Sequence, residues 1–96
     1  MEQNEIIRSS GNVFEDLGFD REESALLRAK SLLMMALSQY IRQQKWTQAQ
    51  AAEHFGCHQP YVSDLVNGKL HRFSLDQLVR MAEHAGLRLN IGLEHA

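Results

Sequence analysis

The stretch Thr47–Lys69, TQAQAAEHFGCHQPYVSDLVNGK, sets two short helical patterns around a central glycine and closes on a second one. Few chain geometries accommodate that. Thr47 and Gln50 have the spacing of a capping box, and Trp46 and Ala51 are placed as a hydrophobic staple. The helix they open runs to about Phe55, with Ala51, Ala52 and Phe55 facing inward. Gly56 ends it through the positive φ that glycine tolerates best. A second helix starts near His58 or Gln59, since Pro60 is acceptable only in a first turn, where its missing N–H costs nothing. Val62, Leu65 and Val66 supply its inner face, and Asn67-Gly68 stops it.

On either side the periods are equally informative. Asp20 and Glu23 are spaced as a capping pair at the head of an acid-rich turn, and the chain then reaches Gln44 without Gly or Pro. About 24 residues at 1.5 Å each make a rod of roughly 36 Å, with Leu26, Leu33, Leu37, Tyr40 and Ile41 on one face. Leu32, Met34 and Met35 widen its apolar sector and read either as packing or as a subunit contact. Ser74 and Gln77 cap a further helix with Leu75, Leu78, Val79, Met81 and Ala82 apolar and Gly86 as terminator. Leu87, Leu89, Ile91 and Leu93 then alternate with Arg88, Asn90 and Gly92, the pattern of a strand. A strand needs a partner for its backbone, either the short Glu5–Arg8 stretch or a second copy across a dimer axis. Val13, Phe14, Leu17 and Phe19 are apolar enough to dock an N-terminal arm on the body.

The expected class is therefore mainly α, as one domain over residues 20–96 preceded by an arm over residues 1–19. A chain of 96 residues builds a small core, which raises the expectation of a homodimer. The longest apolar run, Leu32–Leu37, is far short of a membrane span, and the polar, acidic start lacks the pattern of a signal peptide. The single cysteine, Cys57, excludes an internal disulfide and fits a reducing cytoplasm. The net charge of −2 hides a division. Residues 1–24 hold seven acids and two bases (−5), whereas residues 25–96 hold eight bases and five acids (+3). The field at a contact surface matters more than the chain total, so an acidic protein can still present a basic face.

Two short helices about a tight glycine turn make a helix-turn-helix, in which the first holds the second at the angle that lets it enter a major groove. Ala49, Ala51 and Ala52 are small enough for close approach, and His58, Gln59, Tyr61, Ser63 and Asp64 fall on the exposed start of the second helix. Gln pairs with an adenine edge, His donates to guanine N7, and Tyr reaches a phosphate or a thymine methyl. Thr47 and Gln48 sit where helix N-terminal amides and side chains grip phosphate. Asn67, Lys69, His71 and Arg72 then suit the backbone of the groove wall. The expected partner is double-stranded DNA, read by a homodimer whose interface includes Leu87, Leu89, Ile91 and Leu93.

These residues also carry a resemblance. T-Q-A at 47–49, the Gly56 turn, Gln59-Pro60, Val62-Ser63, Leu65 and Asn67-Gly68-Lys69 resemble the helix-turn-helix of lambda-repressor/Cro-class, or XRE-type, regulators. NVFEDLGF at 12–19, the long helix, FSLDQL at 73–78 and GLRLNI at 86–91 are similar to a subfamily of small XRE proteins. That resemblance implies a lambda-repressor-like helical domain with an N-terminal arm and a C-terminal β-strand. It implies a transcriptional regulator, expected to be a repressor on a two-fold operator with half-sites ~34 Å apart. Many members of the subfamily are antitoxins, so it also implies an alternative: neutralising a small basic RelE-like toxin while autoregulating an operon. The acidic residues 1–24 would then meet the basic partner. Two positions depart from the class. His58 stands where Ser or Thr commonly caps, and Asp64 places a carboxylate on the groove side, where it accepts from a cytosine amino group or tunes selectivity.

Sharper chemistries find little support. His54, Cys57, His58 and His71 do not have the spacing of a metal site, because a turn separates His54 from His58 and no fourth ligand follows. A Cys57–His58 nucleophile lacks an orienting third group. No catalytic residue, metal or cofactor is expected, and the chain is not expected to be an enzyme.

Overall fold

The computed structural model describes residues 13–95. After a helical turn at residues 13–16 come α1 (Arg21–Gln44), α2 (Gln48–Phe55), α3 (Gln59–Val66), a 3-10 turn (Leu70–Arg72) and α4 (Leu75–His84). The caps expected from the sequence are all made. Asp20 accepts from the Glu23 amide, and the Thr47/Gln50 and Ser74/Gln77 boxes close in both directions.

Every helical segment then stops in the same way. A residue of positive φ follows the helix, and the next N–H reaches back to a carbonyl five residues earlier, as in a Schellman motif. The pairs are Phe19 to Phe14 at 3.2 Å, Trp46 to Ile41 at 3.2 Å, Cys57 to Ala52 at 3.0 Å, Lys69 to Asp64 at 3.0 Å and Leu87 to Ala82 at 2.9 Å. Four of these pairs are apolar, and at Trp46, Cys57 and Leu87 the stop also plants a side chain on the core; Phe14 and Phe19 meet each other, edge to face with centroids 6.4 Å apart. Glycine holds the positive φ in four cases, and at the end of α1 Lys45 holds it instead, with φ 58°.

The core lies where α1 crosses α3 and α4, with α2 closing it. Phe55, Val62, Leu65 and Leu78 are fully enclosed, and Met34, Leu37, Ile41, Ala51, Ala52, Phe73, Met81 and Ala82 complete the cluster. Lys30, on α1, spends its ammonium on the Phe73 carbonyl at 2.9 Å and so ties the loop after α3 to the long helix.

Several expectations are corrected. Residues 87–93 form no strand, and no strand occurs among the described residues. An extended segment becomes a strand only when a neighbour completes its hydrogen bonds. None lies alongside among the described residues, and Glu5–Arg8, the intrachain candidate, falls outside them. Leu87 packs against the core, but exposure then rises along the segment, 38% at Leu89, 78% at Ile91 and 99% at Leu93. Val66 is not on the inner face of α3; it is 40% exposed. Leu26 lies on the correct face of α1 but is exposed, beside the overhanging first turns, and Met35 is exposed while Met34 is buried. Ala49 points to solvent, leaving Ala51 and Ala52 as the small residues of the α2–α3 contact. Val13 and Leu17 are exposed rather than docked.

Left-handed backbone costs a non-glycine residue about 1–2 kcal/mol, partly offset because glycine loosens the unfolded chain. Lys45→Gly is therefore expected to raise stability by about 0.5–1 kcal/mol in urea denaturation. A loss of stability would show that the lysine side chain contributes more than its backbone costs.

Candidate nucleic-acid interface

Three residues, Gly56, Cys57 and His58, join α2 to α3. Gly56 adopts φ 67°, and a Cβ built on it would fall 2.7 Å from the Nε2 of His84. The turn is thus pinned from outside by the α4 imidazole, whose Nδ1 lies 3.2 Å from the carbonyl of His54. His54 in turn stacks flat on Trp46 at 4.0 Å, and Trp46 meets Tyr40 and Phe55 edge-on at 5.4 and 6.0 Å. This line of rings runs from α1 through the α1–α2 loop to α2. It fastens the end of α2, and with it the angle at which α3 leaves the body. Cys57 is half-buried against the core, and burial pushes its thiol above the ordinary range. Burial of this kind favours the neutral thiol over the thiolate.

Along α3 and its C-cap, Gln59, Ser63 and Asn67, four apart, make one polar stripe, and Asp64 lies on the next row behind the apolar Pro60. His58 precedes the helix with extended backbone and makes no side-chain cap, so its ring is exposed; in the first turn behind it Pro60 has no N–H and the Tyr61 N–H is spent on the His58 carbonyl at 2.9 Å. Gln59 is exposed at the first helical position. Tyr61 is only half-exposed, its ring tilted against Phe73 at 6.2 Å, so it sits at the rim. Ser63 accepts a long bond, 3.5 Å, from the Asn67 amide.

Beside this surface stands the start of α2. Thr47 Oγ1 accepts from the Gln50 amide at 3.1 Å, and Gln50 returns a bond to the Thr47 amide at 2.9 Å. The amides of Gln48 and Ala49 are the ones left for an outside acceptor, and the Gln48 side chain is exposed next to them. On the opposite flank the chain leaves α3 through Asn67 and Gly68 into the 3-10 turn, which presents Lys69, His71 and Arg72. Arg72 is not free: its Nε donates to Asp64 Oδ2 at 2.8 Å, and that carboxylate raises the guanidinium pKa above its ordinary value.

The ten residues expected at the interface fall into three groups along the chain: Thr47 and Gln48 at the start of α2; His58, Gln59, Tyr61, Ser63 and Asp64 at the start and along α3; and Asn67, Lys69 and Arg72 at its exit. Leu87, Leu89, Ile91 and Leu93 lie on the segment after α4, apart from these groups in the chain. Two supporting residues and one pairing were not foreseen. His84 and Lys30 act across 30 and 43 residues of chain, and no local pattern points to such partners. The Asp64–Arg72 pair, eight apart across a helix end, was open to a charge-pairing argument. Among the described residues no three His, Cys, Asp or Glu side chains converge as metal ligands would, and no helix is long and apolar enough to cross a membrane.

Compared with known families, residues 13–94 match the model described as a helix-turn-helix domain. No curated protein matches the chain.

Proposed function

Because the chain belongs to this helix-turn-helix domain family, matched across residues 13–94, we propose that it is a sequence-specific DNA-binding transcriptional regulator of the XRE type. It acts by binding rather than catalysis, as a repressor docked on a two-fold operator. The observation that carries this reading is the three-residue turn that joins α2 to α3, with His58 and Gln59 exposed at the start of α3. In this reading the start of α2 and the cations after α3 hold phosphate while the side chains at the start of α3 read bases, the order that a groove demands.

Gln59 is the reader, because its side-chain amide matches the N6 donor and N7 acceptor on the major-groove edge of adenine and it is exposed at the start of α3. Lys69 and Arg72 stand on the wall as phosphate contacts. Duplex DNA from the promoter of the protein's own gene, compared with a scrambled duplex across a salt series, tests the division. Gln59→Ala is expected to lose about 1–3 kcal/mol of discrimination between the two duplexes. Lys69→Ala is expected to weaken both equally and flatten the salt slope by about one unit. Equal, feeble binding of the unaltered protein to both duplexes would sink the regulator reading.

The homodimer forms through the segment after α4. Leu89, Ile91 and Leu93 alternate, so in extended backbone they share one side, and burying them supplies the apolar area that a small core lacks. Ile91 and Leu93 are too exposed to matter to the fold of one chain. The pair Ile91→Asp and Leu93→Asp is therefore expected to leave thermal unfolding of the domain cooperative but to yield monomers in sedimentation. A variant that still sediments as a dimer would move the interface to α1.

An antitoxin role rests on the other end. Glu15, Asp16, Asp20, Glu22 and Glu23 are all exposed beside the uncovered Val13, Leu17 and Phe19, a surface of the charge and polarity that a small basic toxin would meet. Coexpression with the product of the adjacent reading frame is expected to give a complex that deletion of residues 1–19 abolishes. A complex indifferent to the deletion would move the contact off the arm, and no complex at all would remove the partner role.

A further inference from the structure

The exit from α3 differs from the other four helix ends. Where they join apolar residues across the stop, it joins Asp64 and Lys69: the Lys69 amide reaches the Asp64 carbonyl at 3.0 Å. The Arg72 amide then reaches the Lys69 carbonyl at 3.1 Å, and the Arg72 Nε returns to the Asp64 carboxylate at 2.8 Å. Asp64, Lys69 and Arg72 thus form one closed hydrogen-bonded loop on the groove wall. The Asp64 side chain is 16% exposed and the Arg72 side chain 52%, so the acid lies in and the base lies out.

That arrangement bears on what Asp64 does. A carboxylate aimed at DNA repels phosphate, and a carboxylate that reads cytosine must be open to the groove. This one is mostly covered, with one oxygen engaged. A guanidinium carries five N–H donors in a rigid fork, and holding Nε leaves the two terminal amino groups for a single phosphate. We propose that Asp64 is a positioning residue rather than a base reader: it aims Arg72 at the phosphate wall while cancelling one positive charge, which weakens the grip on non-cognate DNA. Non-specific binding is almost wholly electrostatic, so the cancelled charge widens the gap between cognate and random sequence. The inference rests on the DNA-binding reading above.

The test uses the full-length protein. A pool of random-sequence duplexes yields a selected duplex, which is then titrated beside a scrambled one across a salt series. Asp64→Asn keeps an acceptor for Nε but drops the charge. It is expected to select the same base pattern, bind the scrambled duplex several-fold more tightly and steepen the salt slope by about one unit. Asp64→Ala drops the acceptor too. In that background Arg72→Ala is expected to cost several-fold less on the selected duplex than it does alone, a coupling that a merely structural role would not produce. A change in the selected base at one position with either Asp64 variant would make Asp64 a reader and overturn the proposal. So would an Arg72→Ala penalty of equal size with and without Asp64. An unaltered protein that shifts no duplex at low salt would instead bring down the DNA-binding reading, and this inference with it.

Discussion

The left-handed reversal at Gly56 is the constraint on which the recognition surface depends. It lets the Cys57 amide close on the Ala52 carbonyl at 3.0 Å, which stops α2 and starts α3 within three residues. So short a link leaves the helices no choice of angle, and Ala51 and Val62, both wholly buried, fit the tight approach that results. The imidazole of His84 fills the space that a side chain at residue 56 would need, so α4 braces the turn from behind. The long α1 has a matching role in front, through Lys30 on the Phe73 carbonyl and Tyr40 on the Trp46 ring. The surface is thus held at both ends by elements that take no part in it.

The same construction explains how a chain with net charge −2 suits an anionic partner. The acids gather before Ser24, on the helical turn and first turn of α1, while Lys69, His71 and Arg72 stand at the α3 exit. Of the acids on the helix-turn-helix, Asp64 is neutralised locally by Arg72. Charge on this protein is sorted by position, and sorting rather than the total governs attraction over a Debye length of about 8 Å.

Helix starts and stops were legible because capping is local chemistry. Asp20, Thr47 and Ser74 announce their helices, and Gly56, Gly68 and Gly86 end theirs. The stop at Lys45 carries no such mark, since a lysine in left-handed backbone is held there by Trp46 packing on the core. Periodicity alone misplaced Leu26 and Val66: helical spacing gives the face but not how far the neighbouring helix reaches along it. The alternation at 87–93 was read as a strand and none forms among the described residues, because a strand is a relation between two segments and alternation in one of them does not supply the other. In the candidate site, local spacing foresaw that the start of α2, the start of α3 and the turn after it would carry exposed polar and basic residues. It missed that Tyr61 is drawn to Phe73 and Asp64 to Arg72, because those partners come from the loop beyond the helix stop.

The central claim is that one surface, running from the start of α2 across α3 to the 3-10 turn, meets DNA. Amide chemical-shift mapping of the labelled protein against a promoter duplex addresses it most directly. The account predicts the largest changes at Gln48–Ala49, at His58–Ser63 and at Lys69–Arg72, with α4 and the segment after it nearly silent. Changes centred on α4 or on the acidic turns before Ser24, with α3 unaffected, would contradict it.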